Sequence, residues 1–206
     1  MVETKSYDFV FLRHGESVGN AEERFQGQSD FPLTEKGRRQ ALALAERWLR
    51  ERMKFDLVLT SPLSRAKETA ELIGSKLDVP VEADPIWLER NAGEVSGLTR
   101  DEALKLYPEP EFTTHYDAFG ENGEGDWELY LRAGKALHGL IKRPAGKYLI
   151  VTHGGLLNKV MYVILGIPVQ ANNNGPRFRF NNTGFAEFNY RPVRHQWRML
   201  RLESPE

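Results

Sequence analysis

Three short polar clusters in this chain could do chemistry on an anion: residues 13–17 (Arg-His-Gly-Glu-Ser), 61–65 (Ser-Pro-Leu-Ser-Arg) and 153–155 (His-Gly-Gly). A histidine beside an arginine can present a ring nitrogen to a phosphoryl group. A helix start offers free backbone amides, and Arg65 can place two donors on a tetrahedral oxyanion. Each cluster alone also fits an ordinary turn, a capped helix or a buried histidine. The chemistry therefore depends on whether the fold brings the three together.

Each cluster follows a short apolar run that is typical of a buried strand, and a helical pattern comes after it. The predicted strands are residues 7–12, 57–59 and 148–151, and the predicted helices are residues 34–53, 62–77 and 156–165. This alternation predicts an α/β three-layer sandwich with a mainly parallel central sheet flanked by helices. Ligands bind at the carboxyl ends of strands in such sheets, so we expect the three clusters around one crevice.

Two of the helical patterns carry recognisable start signals. The helix at 34–53 begins behind a Thr34 cap, and the helix at 62–77 begins with Pro62 in its first turn. The residues predicted to share the buried face of the first of these helices are Leu42, Ala45, Trp48 and Leu49.

One segment interrupts the alternation of strands and helices. Residues 99–146 contain helical patterns at 100–107 and 126–142 around a stretch at 108–125 that is rich in proline, glycine and glutamate. We interpret residues 99–146 as a cap or lid inserted into a single domain that covers residues 1–206.

Strand signals return near the carboxyl end, at residues 178–180, 184–190 and 195–200. The arginines there alternate with apolar residues. We interpret them as the solvated outer faces of edge strands rather than as an anion or nucleic-acid site. These arginines are Arg177, Arg179, Arg191, Arg194, Arg198 and Arg201.

Composition narrows the function further. The 206 residues carry 28 Lys+Arg against 29 Asp+Glu, a net charge of -1, so no overall field draws the chain to nucleic acid or an acidic membrane. Cysteine is absent, which excludes disulfides, thiolate nucleophiles and Cys-ligated zinc. The longest apolar run, at 160–169, is far shorter than the roughly 20 residues that span a bilayer. We expect a cytoplasmic protein that binds neither nucleic acid nor membrane.

Taken together, the motifs resemble the histidine phosphatase superfamily, also called the phosphoglycerate-mutase-like family. Its Arg-His-Gly-Glu signature is similar to residues 13–16, its Ser-Pro-x-x-Arg-Ala-x-x-Thr-Ala motif to residues 61–70, and its second His-Gly to His153 and Gly154. The run at 30–37 also looks like the family's bridge to its first long helix. The resemblance extends from about residue 7 to about residue 190. Residues 109–125 depart most from the pattern, and we expect them to set substrate preference.

The resemblance implies that His14 is the nucleophile and forms a phosphohistidine. Arg13, Arg65 and a protonated His153 would then surround the phosphoryl group. The further substrate-binding residues that it implies are Ser17, Asn20, Gln26, Gly27 and Gly154. Two arginines disfavour a metal cation in the same crevice, so we expect no metal and no cofactor.

The resemblance also places a general acid in a Leu-x-Glu segment after the third strand, which here is Glu89. Glu89 would protonate the leaving alcohol and later activate water. Glu94 is the alternative acid, although its glycine-bounded turn favours a solvated side chain. For Glu16 an orienting hydrogen bond is favoured over proton transfer.

These features predict a metal-independent phosphatase that hydrolyses small phosphomonoesters through a phosphohistidine. The alternative is a phosphoglycerate mutase, but Asn91 and Ala92 replace the His-Tyr pair of similar mutases. The acid-rich stretch at 109–125 is also a poor clamp for a doubly anionic ligand, which leaves Arg90 and Arg100 as contacts. An inactive binding protein is disfavoured because every catalytic residue type is retained. The expected partner is a small phosphorylated metabolite, and a homo-oligomer is left open.

Overall fold

The computed structural model describes residues 6–205. These residues form one six-stranded sheet with helices on both faces. The strands are β1 (Tyr7–Arg13), β2 (Leu57–Thr60), β3 (Val81–Ala83), β4 (Lys147–Thr152), β5 (Phe185–Arg191) and β6 (Gln196–Glu203). The helices are α1 (Val18–Ala21), α2 (Glu35–Arg50), α3 (Ser64–Leu77), α4 (Arg100–Leu106), α5 (Asp126–Leu140) and α6 (Gly154–Leu165).

The strand order is β3-β2-β4-β1-β5-β6. The first four strands in this order are mutually parallel, and β5 and β6 add an antiparallel edge. The prediction of a mainly parallel α/β sheet is therefore confirmed. Because β4 lies between β1 and β2, the carboxyl ends of all three strands meet, with Arg13 opposite Thr152 and Thr60 opposite Val151.

The central strand β1 supplies side chains to two separate cores. Phe9 and Phe11 point to the face that α5 and α6 cover, whereas Val10 and Leu12 point to the face that α2 and α3 cover. All four are fully buried. Strands that are buried on both faces read as continuous apolar runs, which is why the sequence located β1. The three-layer sandwich is confirmed.

The predicted lid extends too far. Helix α5 packs against the sheet and buries Leu129, Ala133 and Leu140, so it is a layer of the sandwich. Its apolar residues recur at helical spacing, which is typical of a helix that packs on a core. It was assigned to the lid because it directly follows the proline- and glycine-rich stretch. The inserted stretch is the largely irregular segment between β3 and α5, residues 84–125, and only the short α4 is α-helical there.

Two details of the predicted helices are wrong. The buried face of α2 consists of Ala41, Leu44, Ala45 and Trp48, while Leu42 and Leu49 are exposed. An amphipathic helix needs only one apolar stripe, and these two leucines lie beside it. Helix α3 begins at Ser64 with Leu63 at its N-cap, so Pro62 lies outside the helix.

The strand predicted at 178–180 is also wrong. No strand of the described residues includes these positions, because side chains of other elements, rather than a neighbouring strand, bind their backbone. The residue pattern did not predict β3, since it is only three residues long and largely exposed; only the resemblance implied a strand before Glu89. Within residues 6–205, no helix combines the length and the apolar character that crossing a membrane requires.

Candidate active site

A cavity of about 790 Å³ opens at the carboxyl ends of the parallel strands. Its walls come from the end of β1, the segment 20–27, the start of α3, the inserted stretch, α6 and the segment 176–181. Of the catalytic residues predicted from sequence, Arg13, His14, Arg65 and Glu89 line it. His153 lies directly behind His14, with 5.1 Å between the ring centroids.

Backbone geometry at the end of β1 fixes the tautomer of His14. The ring Nδ1 lies 2.7 Å from the Gly15 carbonyl oxygen. A carbonyl can only accept, so Nδ1 carries the proton and the lone pair is on Nε2. Burial, and then the charges of Arg13 and Arg65, hold the pKa of His14 well below its ordinary value of 6.5. The ring is therefore neutral at neutral pH, with the Nε2 lone pair free.

The turn after His14 requires glycine at position 15, and a hydrogen bond to α3 holds it in place. A Cβ on Gly15 would lie 2.5 Å from the Gly37 carbonyl oxygen, so no larger residue fits. The Gly15 N–H donates to the Thr69 hydroxyl, which donates in turn to the Arg65 carbonyl. Sequence reasoning gave Thr69 no role, although the motif at 61–70 contains it.

Two arginines flank His14, of which Arg65 is buried and Arg13 is half-buried. Arg13 donates to the Phe180 carbonyl, and Arg65 donates to the carbonyls of Ser29 and Gly27. Burial lowers the pKa of Arg65 to about 10, which leaves it charged at neutral pH. Within residues 6–205, the Nε atoms of both arginines are buried without a hydrogen-bond partner. Arg65 therefore has fewer free donors than predicted, because it also holds the loop at 27–29.

His153 is fully buried, and neither of its ring nitrogens has a partner among the described residues. Burial, followed by the charges of Arg65, His14 and Arg13, holds its pKa well below 6.5. His153 is therefore neutral at neutral pH in the free protein, and its predicted protonated form belongs to the site with a bound phosphoryl group. Buried polar atoms are nearly always satisfied in folded proteins. An imidazole without partners beside His14 and two arginines indicates a site for an anionic ligand.

The carboxylate of Glu89 lies at the amino end of α6. It accepts backbone N–H bonds from Arg90, Gly155 and Leu156 at 2.8, 3.0 and 3.1 Å. Oε1 accepts two of these bonds and Oε2 accepts one, so Oε2 keeps a position that can carry a proton. These three bonds fix the carboxylate at the wall of the cavity that also contains His14.

The other two carboxylates weighed from sequence lie outside this cavity. Glu94 is exposed and accepts a hydrogen bond from Asn122. Glu16 accepts hydrogen bonds from Thr34 and Lys36 at the start of α2. Its orienting contacts are therefore with that helix rather than with the catalytic residues.

Most of the predicted substrate-binding residues line the cavity, and Ser17 does not. The lining residues among them are Asn20, Gln26, Gly27 and Gly154. Ser17 is fully buried, caps α1 and donates to the Gln26 side chain at 2.7 Å. Ser17 thus orients a cavity residue instead of facing a ligand.

Sequence reasoning missed several cations of the cavity. Arg24, Lys159, Arg177 and Arg179 all line it. The interpretation of Arg177 and Arg179 as outer faces of edge strands is wrong, because residues 176–181 border the cavity instead of joining the sheet. The excess of arginine over acidic residues near the carboxyl end was the sequence signal that could have indicated Arg177 and Arg179.

The acidic residues of the inserted stretch do not form the expected repulsive lid. None of Glu109, Glu111, Asp117 and Glu121 lines the cavity. Glu124 pairs with Arg132 of α5 at 2.6 Å. Arg90 lines the cavity and Arg100 does not. Besides Glu89 and Arg90, the inserted stretch contributes Ala92 and Phe119 to the cavity. The expectation that an acid-rich lid at 109–125 faces the ligand is therefore wrong.

The family model of the histidine phosphatase superfamily (branch 1) matches residues 9–204. The chain belongs to this superfamily. Among curated relatives of this superfamily protein, the probable phosphoglycerate mutase GpmB of Yersinia pestis (strain Pestoides F) is 34% identical over 186 residues. The match covers 87% of this chain and 83% of that protein.

Solved structures agree with the membership. Bacillus stearothermophilus YhfR superposes with a TM-score of 0.81 at 27% identity, over 97% of this chain and 98% of that one. The mycobacterial glucosyl-3-phosphoglycerate phosphatase Rv2419c, solved with VO3, has a TM-score of 0.78 at 26% identity, over 97% and 100% of the two chains. Proteins similar to this one thus carry both mutase and phosphatase names.

Proposed function

We propose that this protein is a metal-independent phosphatase that hydrolyses small phosphomonoesters through a phosphohistidine on His14. The observation that carries the proposal is the state of His14: a neutral ring with Nδ1 bound to the Gly15 carbonyl and Nε2 free. Arg13 and Arg65 flank this nitrogen with buried Nε donors that have no partner among residues 6–205.

In the first step, Nε2 of His14 attacks the phosphorus atom and the ester P–O bond breaks. The leaving alkoxide takes a proton from Glu89. Negative charge spreads over the equatorial oxygens in the loose transition state of phosphoryl transfer, and preorganised cations stabilise it. Arg13 and Arg65 supply that charge, and a bound phosphoryl dianion favours protonation of His153 between them.

In the second step, Glu89 accepts a proton from water, and the oxygen of that water attacks the phosphohistidine. The N–P bond breaks, inorganic phosphate leaves, and His14 returns with its lone pair on Nε2. The two arginines do the electrostatic work that a divalent metal does in other phosphatases. Activity should therefore survive exhaustive chelation, and a loss with EDTA that added metal restores would contradict the proposal.

Rapid acid-quench labelling tests the intermediate. A labelled phosphomonoester should give an adduct that is labile in acid and stable in alkali, and His14→Ala should abolish both the adduct and turnover. His138→Ala is the matched control, because His138 is exposed on α5 outside the cavity. Full activity of His14→Ala would rule out the mechanism.

A phosphoglycerate mutase is the second candidate, favoured by the cations that line the outer cavity and by the name of the Yersinia pestis relative. A mutase must keep its phosphohistidine from water while an intermediate reorients. Ala92, which lines the cavity, offers little cover for this. Incubation with 3-phosphoglycerate, with and without 2,3-bisphosphoglycerate, separates the two functions. Release of phosphate without isomer supports the phosphatase, and brisk formation of 2-phosphoglycerate supports the mutase.

A non-catalytic binding role has less support. One cavity brings together the nucleophile, the acid and both arginines, with His153 in contact with His14. A protein that only bound a phosphorylated ligand would have no use for a proton donor at Glu89.

A further inference from the structure

Lys159 is a buried cation that the proposed mechanism does not use. It lies on α6, is only 4% exposed and lines the same cavity as His14. Its Nζ lies 2.7 Å from the carboxylate of Asp126 and 4.7 Å from the centroid of the Tyr162 ring. Asp126 also pairs with Arg90. Two cations thus share one carboxylate, and the cluster carries a net positive charge.

The positive charge of Lys159 and Arg90 has few anionic partners, although Lys159 is buried. Among residues 6–205, neither Lys159 nor Arg90 forms an ion pair with any carboxylate other than Asp126. Only one of the three N–H donors of the Lys159 ammonium has a partner in this part of the chain. A buried charged donor without a partner costs free energy unless a ligand satisfies it. Since Lys159 lines the cavity, that ligand can come from there.

A second cation is held near the same tyrosine by the segment 176–180. Asn158 donates to the Phe178 carbonyl at 2.9 Å and accepts from its N–H at 2.8 Å. Tyr162 donates to the Pro176 carbonyl at 2.7 Å. These bonds place Arg177, between the two anchored residues, at the cavity wall. Arg177 forms no ion pair with another described residue (6–205).

We propose that Lys159 and Arg177 form a second anion-binding subsite in the catalytic cavity. Preferred substrates would then carry a further oxyanion, a carboxylate or a second phosphate, besides the ester that reacts at His14. The inference rests on the proposed phosphatase function and specifies its substrate class.

The test compares substrates that differ only in the second group. The probes are ω-phosphonooxy alkanoates of increasing chain length, their neutral carboxamides, and the corresponding alkanediol bisphosphates. A hydrogen bond to a charged group is worth about 1.5–3 kcal/mol, so kcat/KM should favour an acid over its amide by roughly tenfold or more at the best length. The bisphosphates show whether phosphate is preferred to carboxylate. Equal kcat/KM for acids, bisphosphates and amides would overturn the proposal.

Variants then assign the preference to the two residues. Lys159→Met leaves Asp126 paired with Arg90, so the cluster keeps a balanced charge, and Arg177→Gln changes an exposed side chain. Each should bring the ratio of acid to amide toward one. Lys135→Met, at an exposed position of α5 outside the cavity, is the matched control. A full preference retained in both cavity variants would overturn the assignment, and Arg177→Gln tests it even if Lys159→Met does not fold.

Two measurements separate this proposal from the proposed function. Hydrolysis of 4-nitrophenyl phosphate, which has no second anion, reports on the phosphatase alone. Calorimetry with non-hydrolysable phosphonates of the acid and amide series reports on the subsite without turnover. Weaker binding of the amide in the wild type, together with loss of this difference in Lys159→Met, supports the subsite even if no ester is hydrolysed. Equal binding of acid and amide counts against it even if 4-nitrophenyl phosphate is a good substrate.

Discussion

The Gly15 carbonyl and the buried surroundings of His14 determine the tautomer and the charge of its ring. The Gly15 carbonyl selects the tautomer, and burial beside two arginines keeps the ring neutral. The same burial affects stability, because His14 and His153 both have pKa values well below 6.5 in the folded protein. Below about pH 6.5 the unfolded chain binds protons at these positions that the folded chain does not. Stability must therefore fall as the pH falls.

The fall of stability with falling pH can be measured by unfolding experiments. Between pH 7 and pH 5.5, the free energy of unfolding should decrease by up to about 1.4 kcal/mol per pH unit for each of the two histidines. His14→Asn should reduce this slope by removing one of the groups, and exposed His138→Asn should not. Urea unfolding at several pH values measures the slope. An equal slope in wild type and His14→Asn would show that His14 titrates alike in both states.

The role of Glu89 is tested through the leaving group. Alkyl phosphates need a proton on the departing oxygen, whereas 4-nitrophenolate leaves without one. Glu89→Gln should therefore slow alkyl esters by about 10²–10⁴-fold, the usual contribution of a general acid, and 4-nitrophenyl phosphate far less. Glu94→Gln, at an exposed position outside the cavity, is the control. Equal losses on both substrates would assign the proton to another group.

Between secondary-structure elements, one guanidinium joins α5 to the segment that carries Glu89. Arg132 donates to the carbonyls of Ile86, Leu88 and Glu89 and forms a two-point pair with Glu124. Both charged side chains are mostly buried. The guanidinium thus fixes the backbone at Glu89 and attaches the end of the inserted stretch to the core.

Arg132→Met should disturb catalysis in a selective way. Because Glu89 would lose a backbone contact, we expect kcat to fall more on alkyl phosphates than on 4-nitrophenyl phosphate, as in Glu89→Gln but less steeply. The free energy of unfolding should also fall by about 3 kcal/mol, since Glu124 is left unpaired. Arg143→Met is the control, because its partner Glu82 is half exposed. Similar losses of kcat on both substrates would contradict a positioning role.

The sequence predicted the residues at strand ends and missed those whose role comes from contacts between elements. His14, Arg65 and Glu89 stand in recognisable local patterns, and β1 and β4 are apolar enough to be seen. Lys159 gave no signal, because it lies in an otherwise apolar helix and its partner Asp126 is 33 residues away. Arg177 alternates with apolar residues as in a strand, and only the tertiary bonds of residues 176–180 reveal that it borders the cavity.

For the whole molecule, the buried cations around His14 predict that anions stabilise the fold. A ligand that binds only the folded state at 100 times its Kd adds about 2.7 kcal/mol. For a chain of this size, each kcal/mol raises the melting temperature by about 2–4 °C. Saturating inorganic phosphate should thus raise the melting temperature by about 5–10 °C. Chloride at equal ionic strength is the control, and an equal effect of chloride would argue against a specific oxyanion site.

The position of β4 between β1 and β2 has a consequence for how the protein folds during synthesis. A nascent chain that has reached Gly146 already contains His14, Arg65 and Glu89, but it lacks the strand that joins β1 to the β2–β3 pair. Arg13 must then find Thr152 across most of the chain's length, and pairings between such distant residues form slowly. The proposed phosphatase activity should therefore be absent from shorter translation products and emerge only after the ribosome has released β4.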